Sequence, residues 1–310
     1  MTSRDTAIGT VFLSQTVFGI LGNFYLLYHY VFLYFTECML RPTDLILQHL
    51  TVANSLVLLA KGVPHTMEAL GGKYLLNDFG CKLLLYVHRV GRGVSISTTC
   101  LLSVLQAITI SPLNRRWAML KVKAPKHVSF LIFLCWVVYM LVNTVFPIYL
   151  TADWSTKNIT NYKKFGPCSA VRHDKATDSV FAALLSFPDV VCLGLMLGAS
   201  SCMVLILHRH KQRVQHIHST NVSPRLSAES RATQRVLVLG STFVGFYLLS
   251  SILHMCIALS HNPGWWLMTL SAVAAVCFPA VSPFLLMNRA HSVSRFCSTW
   301  IRNTKSPHLI

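Results

Sequence analysis

Apolar and polar residues follow one another along this chain in long blocks rather than in a two-residue or seven-residue rhythm. Thr6 to Thr36 contains no Lys, Arg, Asp or Glu, and six further predominantly apolar runs come after it. Each is long enough, at about 1.5 Å of rise per residue, to cross roughly 30 Å of hydrocarbon as a helix. Membrane spans are therefore expected at approximately 7–35, 45–66, 81–111, 128–151, 179–207, 236–260 and 265–288. The last two share one uncharged stretch, Val236 to Asn288, which is too long for a single helix and is divided by His261-Asn262-Pro263-Gly264. The expected fold is all-α: one seven-transmembrane helix bundle covering residues 1–310.

The polar blocks between the runs are expected to be loops, and they set the orientation. Arg115 to Lys126 holds five basic residues and no acid, and His208 to Arg235 holds six Lys or Arg against the single acid Glu229. The tail after Asn288 adds Arg289, Arg295, Arg302 and Lys305 with no acid. With Arg41, these segments carry 16 of the 27 Lys and Arg residues. The positive-inside bias assigns them to the cytoplasm, so the N-terminus is expected outside and the C-terminus cytoplasmic in a multi-pass plasma-membrane protein. The first span is expected to act as its own signal anchor.

Composition then changes one reading. A net charge of +17 in 310 residues would suggest nucleic acid as the partner of a soluble chain, but 53% of the residues are hydrophobic and the basic ones are bunched between spans. Membrane lipids, not nucleic acid, are the expected partner of that charge.

Two cysteines stand apart from those in the apolar runs. Cys81 begins span three and Cys168 lies in the outer segment Asp153 to Asp178, both facing an oxidising compartment, and they are expected to pair. Asn158-Ile159-Thr160 in the same segment is a glycosylation sequon on the accessible side, whereas Asn221-Val222-Ser223 is cytoplasmic and followed by Pro224. Cys297 in the basic tail is a candidate for palmitoylation.

His88, Arg89 and Arg92 fall in the outer half of span three, and Asp189 in span five at a level with Arg92. Ionisable groups at that depth usually face the bundle interior and mark a site or a pathway. An Arg92–Asp189 pair beside His88 is expected to line an outward-facing pocket; a purely structural ion pair is the open alternative. Lys61 is close enough to the outer surface to snorkel. The histidines His208, His210, His216 and His218 are interleaved with Lys and Arg, so no metal site is read there. Gly19 with Gly22, and Gly194 with Gly198, suggest close helix approaches within the bundle. No catalytic motif and no cofactor-binding motif is present, so no enzymatic activity is expected.

Several stretches carry a resemblance. Leu83-Leu84-Leu85-Tyr86-Val87-His88-Arg89-Val90-Gly91-Arg92-Gly93, Ser97-Thr98-Thr99-Cys100-Leu101-Leu102-Ser103, the segment from His208 to Gln234 and Ser282-Pro283-Phe284 resemble vomeronasal type 1 receptors, a pheromone receptor family of G-protein-coupled receptors. Leu105-Gln106 stands where the wider rhodopsin-like group has an acid-Arg-Tyr motif. Asn54 replaces an Asp, and Ser282-Pro283 replaces Asn-Pro. The resemblance implies a chemosensory receptor for a small-molecule semiochemical, and the buried ionisable residues His88, Arg89, Arg92 and Asp189 are the candidates to bind it. It also implies coupling to an inhibitory-class heterotrimeric G protein through Arg115, Arg116, Lys211, Arg213, Arg231 and Arg235. A bitter-taste-type receptor, and more remotely a seven-helix transporter, are the alternatives.

Overall fold

Backbone in hydrocarbon has no water to bond, so each amide and carbonyl must find a partner within its own segment, and long helices result. The computed structural model describes residues 3–35, 41–71, 78–111, 115–144, 150–152, 162–165, 168–171, 175–216, 224–259 and 264–304. Span one is α1 (Ser3–Phe35); span two is α2 (Pro42–Val57), a π-helical turn (Leu58–Gly62) and α3 (Val63–Ala69). Spans three to seven are α4 (Asp78–Ile110), α5 (Arg115–Asn143), α6 (Lys175–His216), α7 (Pro224–Leu259) and α8 (Trp265–Thr304). Six of them carry apolar stretches long enough to cross a membrane: Thr6–Phe32, Pro42–Glu68, Lys82–Ile110, Lys126–Asn143, Ser186–Arg209 and Trp265–Met287. α7 carries the apolar stretch Leu237–Ser250 within its 36 residues. The fold is a seven-helix transmembrane bundle.

Three expectations are corrected. The helix of span four stops at Asn143 rather than near residue 151, and Leu150–Ala152 is a strand. Pro147 and the β-branched Thr144, Val145 and Ile148 explain the early stop, because both kinds of residue disfavour helix. Second, the polar segment after span four is not wholly irregular. β1 (Leu150–Ala152), β2 (Tyr162–Phe165) and β3 (Cys168–Val171) form an antiparallel sheet in the order β1-β3-β2. Third, Arg115–Lys126 and much of His208–Arg235 continue the helices instead of forming loops. Lys, Arg, Gln, Leu and Ala are good helix formers, so loss of apolarity ends the membrane span without ending the helix.

The π turn has a local cause. Pro64 has no N–H to donate, and its ring crowds the carbonyl four residues back, Ala60. The turn widens to accommodate it, and the Val63 N–H bonds Leu58 O, five residues back. A second proline is compensated between helices. Pro283 leaves the Pro279 carbonyl without its usual amide, and Asn23 of α1 donates Nδ2 to that oxygen at 2.9 Å. Gly22 makes the approach possible, since a Cβ there would lie 2.9 Å from the Pro283 ring.

α4 is the central rod. Leu50, Ala53, Val94, Ile96, Leu102, Met196, Met203 and Leu239, from spans two, three, five and six, are buried together around it. Thr98 and Ser282 are fully buried as well, while Phe18, Phe133 and Phe187 are more than 60% exposed. Polar groups inside and aromatic rings outside is the arrangement expected when the surrounding solvent is lipid.

Candidate ligand-binding site

The site is built on α4 in the half of the bundle nearer the small sheet. A side chain at position 93 would collide with the Tyr139 ring of α5, so Gly93 is what lets that ring lie against α4. Tyr139 then donates its hydroxyl to Asp189 Oδ1 of α6 at 2.9 Å, and Tyr247 of α7 donates to Asp189 Oδ2 at 3.4 Å. The Arg92 guanidinium carbon sits 4.9 Å from the centroid of the Tyr247 ring, a cation–π contact. One turn further along α5, Asn143 accepts from Arg89 Nε at 2.9 Å and donates Nδ2 to the Tyr139 carbonyl at 2.8 Å. His88 is buried on the same turn of α4.

The expected direct ion pair is replaced by a bridge. Among the described residues no nitrogen of Arg92 lies within 4.0 Å of a carboxylate oxygen. Tyr247 stands between the partners, its ring under the guanidinium and its hydroxyl on the carboxylate. The two phenols occupy one carboxylate oxygen each, so Asp189 is held in place by neutral donors.

Beside this assembly is a small half-open cleft lined by Arg92, Ser95, Phe243, Phe246, Tyr247 and Phe278 among others. Its walls come from spans two, three, six and seven. Arg92 faces it, whereas His88, Arg89 and Asp189 are not among its lining residues. Asn54 links its floor: Ser95 Oγ donates to Asn54 Oδ1 at 2.7 Å, and Asn54 Nδ2 donates to Ser282 Oγ at 2.8 Å. This junction of spans two, three and seven is neutral, and both polar atoms of the Asn54 amide are used.

Sequence reasoning misses Gly93, Tyr139, Asn143 and Tyr247. Tyr139 and Asn143 are four residues apart on one face of an apolar span, and that spacing is the signal available. The backbones of Cys81 and Cys168 lie in α4 and β3, but their side chains are outside the described residues. The same holds for the side chains of Arg115, Arg116, Lys211, Arg213, Arg231, Arg235 and Cys297, and Asn158 is outside altogether.

An aromatic cleft with one facing cation, inside a seven-helix bundle, fits many receptors, and the comparison with known proteins narrows the choice. Residues 6–299 match the model of the vomeronasal organ pheromone receptor family. The chain belongs to this family. It is 58% identical over 302 residues to vomeronasal type-1 receptor 4 of Homo sapiens, covering 97% of this chain and 100% of that one. Against vomeronasal type-1 receptor 3 of Homo sapiens the identity is 52% over 312 aligned positions, covering 100% of both chains. Vomeronasal type-1 receptor 90 of Rattus norvegicus is 32% identical over 294 residues, 95% of this chain and 94% of that one. As a member of the vomeronasal family the chain is a chemosensory receptor and a multi-pass protein of the plasma membrane. The family is one of receptors and not of enzymes.

Proposed function

We propose that this vomeronasal-family receptor detects a small, largely apolar pheromone-like molecule in the cleft beside Arg92 and activates an inhibitory-class G protein from the opposite end of the bundle. The observation that carries the reading is the cleft: phenylalanine rings from spans six and seven face a single guanidinium, which gives apolar contact area with one orienting charge. Arg92 contacts the ligand; Arg89, Asp189 and His88 form the scaffold behind it. The basic segments support an orientation with the N-terminus and the sheet outside and the C-terminus in the cytoplasm. A Cys81–Cys168 disulfide would fasten the sheet to α4, and the packing of β1 against α4, with β3 beside β1, favours that bond. Asn158 would carry a glycan on the same side.

Signalling needs the ligand to bind one of two conformations more tightly than the other. Tyr247, Phe243 and Phe246 all belong to α7, whose far end carries Arg231 and Arg235, so ligand contact at the cleft bears on the helix that reaches the cytoplasmic face. Arg115, Arg116, Lys211 and Arg213 end the neighbouring helices there and complete the G-protein surface. Cells expressing the chain and challenged with an odorant panel are expected to lower stimulated cyclic AMP, and pertussis toxin is expected to abolish the response. Phe243→Ala is expected to weaken potency about tenfold, in line with the loss of one buried aromatic contact. Full potency in both Phe243→Ala and Phe278→Ala, or a tag near Asn221 that antibody reaches from outside intact cells, overturns the reading.

A further inference from the structure

We propose that Asn143 of α5 is a positioning residue for the cleft: it holds Arg89 on a neutral acceptor, keeps that arginine off Asp189, and so leaves the carboxylate to Tyr247, on whose ring Arg92 rests. The proposal rests on the cleft beside Arg92 being the ligand site and names what keeps that cation facing it.

Two arginines and a carboxylate gathered inside a bundle are expected to join directly, because a fork of N–H donors on a carboxylate is among the strongest contacts in a medium of low dielectric. Here they stay apart. No nitrogen of Arg89 or Arg92 lies within 4.0 Å of an Asp189 oxygen. Asp189 instead takes one phenol on each oxygen, from Tyr139 at 2.9 Å and from Tyr247 at 3.4 Å. Arg92 meets the face of Tyr247, and Arg89 Nε meets the side-chain oxygen of Asn143 at 2.9 Å. Each arginine is held by a neutral partner.

What separates the charges is α5. Tyr139 and Asn143 are four residues apart, so they share a face about 5.4 Å from each other along the axis. The first holds the acid by its hydroxyl; the second holds the base by its amide. Asn143 is itself fixed, only 3% exposed, with Nδ2 donating to the Tyr139 carbonyl at 2.8 Å, which leaves Oδ1 as the atom turned to α4. On α4 the matching interval is Arg89 to Gly93, again four residues, and Gly93 is where the Tyr139 ring lies. Arg89 therefore stands about one turn from the level of the carboxylate, an interval its long stem closes once the amide lets go. The guanidinium then takes a carboxylate oxygen, and the longer of the two phenol bonds, that of Tyr247, is the one displaced. Tyr247 is unfastened beneath Arg92, and the cleft wall loses its set geometry.

The test is infrared spectroscopy of the full-length receptor in phosphatidylcholine nanodiscs with isotope-labelled aspartate, the Asp189 band being isolated as the difference from Asp189→Asn. In Asn143→Ala the carboxylate stretch is expected to shift as a guanidinium replaces a phenol, and the tyrosine band assigned with Tyr247→Phe is expected to lose its hydrogen-bond signature. Asn143→Asp, which keeps an acceptor for Arg89, is expected to retain that signature. Arg89→Gln added to Asn143→Ala is expected to return the Asp189 band to its wild-type position, a rescue that an asparagine serving only to pack the helices would not show. Asn143→Leu, which suits an apolar span, takes the place of Asn143→Ala if the latter does not express. An Asp189 band unmoved by loss of the amide, a shifted band that Arg89→Gln does not return, or loss of the Tyr247 signature in Asn143→Asp overturns the proposal. Because the spectra need no ligand, they stand or fall separately from the cleft reading, which the Phe243→Ala and Phe278→Ala responses decide.

Discussion

Spans three and five pack against each other yet stand at opposite extremes of burial. Span five has the higher mean hydropathy, 2.5 over Ser186–Arg209 against 1.6 over Lys82–Ile110, yet only 11% of its most apolar window is buried within the protein, against 72% for span three. In a soluble domain the greasiest helix would be the core. Here lipid is as apolar as leucine, so no hydrophobic force drives a helix inward, and the interior goes to the helix with polar side chains and a glycine to pack. Span three brings Ser95, Thr98, Thr99 and Ser103 to the centre; span five presents Phe187, Val190, Leu195 and Leu205 to the outside.

That contrast breaks most visibly at glycine. Gly93→Leu drives a side chain into the Tyr139 ring and is expected to cost roughly 3 kcal/mol or more, read as lost surface expression and a lower Tm. Gly194→Leu and Gly198→Leu on span five, where nothing lies within 4 Å, are expected to stay within about 0.5 kcal/mol of the wild type. If the span-five pair behaves like Gly93, the outward face of that span is covered by something else. The next effect in size is Asn54→Leu, which strands the hydroxyl of Ser95, takes from Ser282 Oγ its donor and is expected to cost about 2 kcal/mol in thermal unfolding. Its partner test, Ser201→Ala, removes only an exposed bond to Leu197 O of the same helix and is expected to be silent. The smallest is Tyr139→Phe, which deletes one donor to Asp189 at a cost of about 1.5 kcal/mol; Phe187→Leu on the lipid face should move Tm by less than that.

The spans are legible in the sequence because a bilayer imposes a length and a polarity that a chain cannot evade. Where α5 stops is not, since the uncharged run continues past Asn143 and only Pro147 and its β-branched neighbours argue for the turn. The depth of Arg92 and Asp189 can be counted from the span ends, which is why both stand out. What joins them cannot: a tyrosine in an apolar span reads as packing, and nothing local reveals that Tyr247 will insert between a guanidinium and a carboxylate. Gly19 and Gly22 do mark a close approach, to Ala280 and Pro283, whereas Gly194 and Gly198, at a similar spacing, meet nothing within 4 Å. Spacing says that a backbone can be approached; it does not say that a neighbour has come.

The oxygen of Pro279 is where this difference between permission and contact has a mechanical outcome. With no amide of its own helix to hold it, span seven is jointed at that level, and the amide of Asn23 works as a splint supplied by the first helix. Shortening Asn23 would leave that oxygen only the 3.5 Å bond from Ser282 Oγ, loosening the joint beside Pro279, itself part of the cleft wall, and letting the rest of the last helix swing more freely.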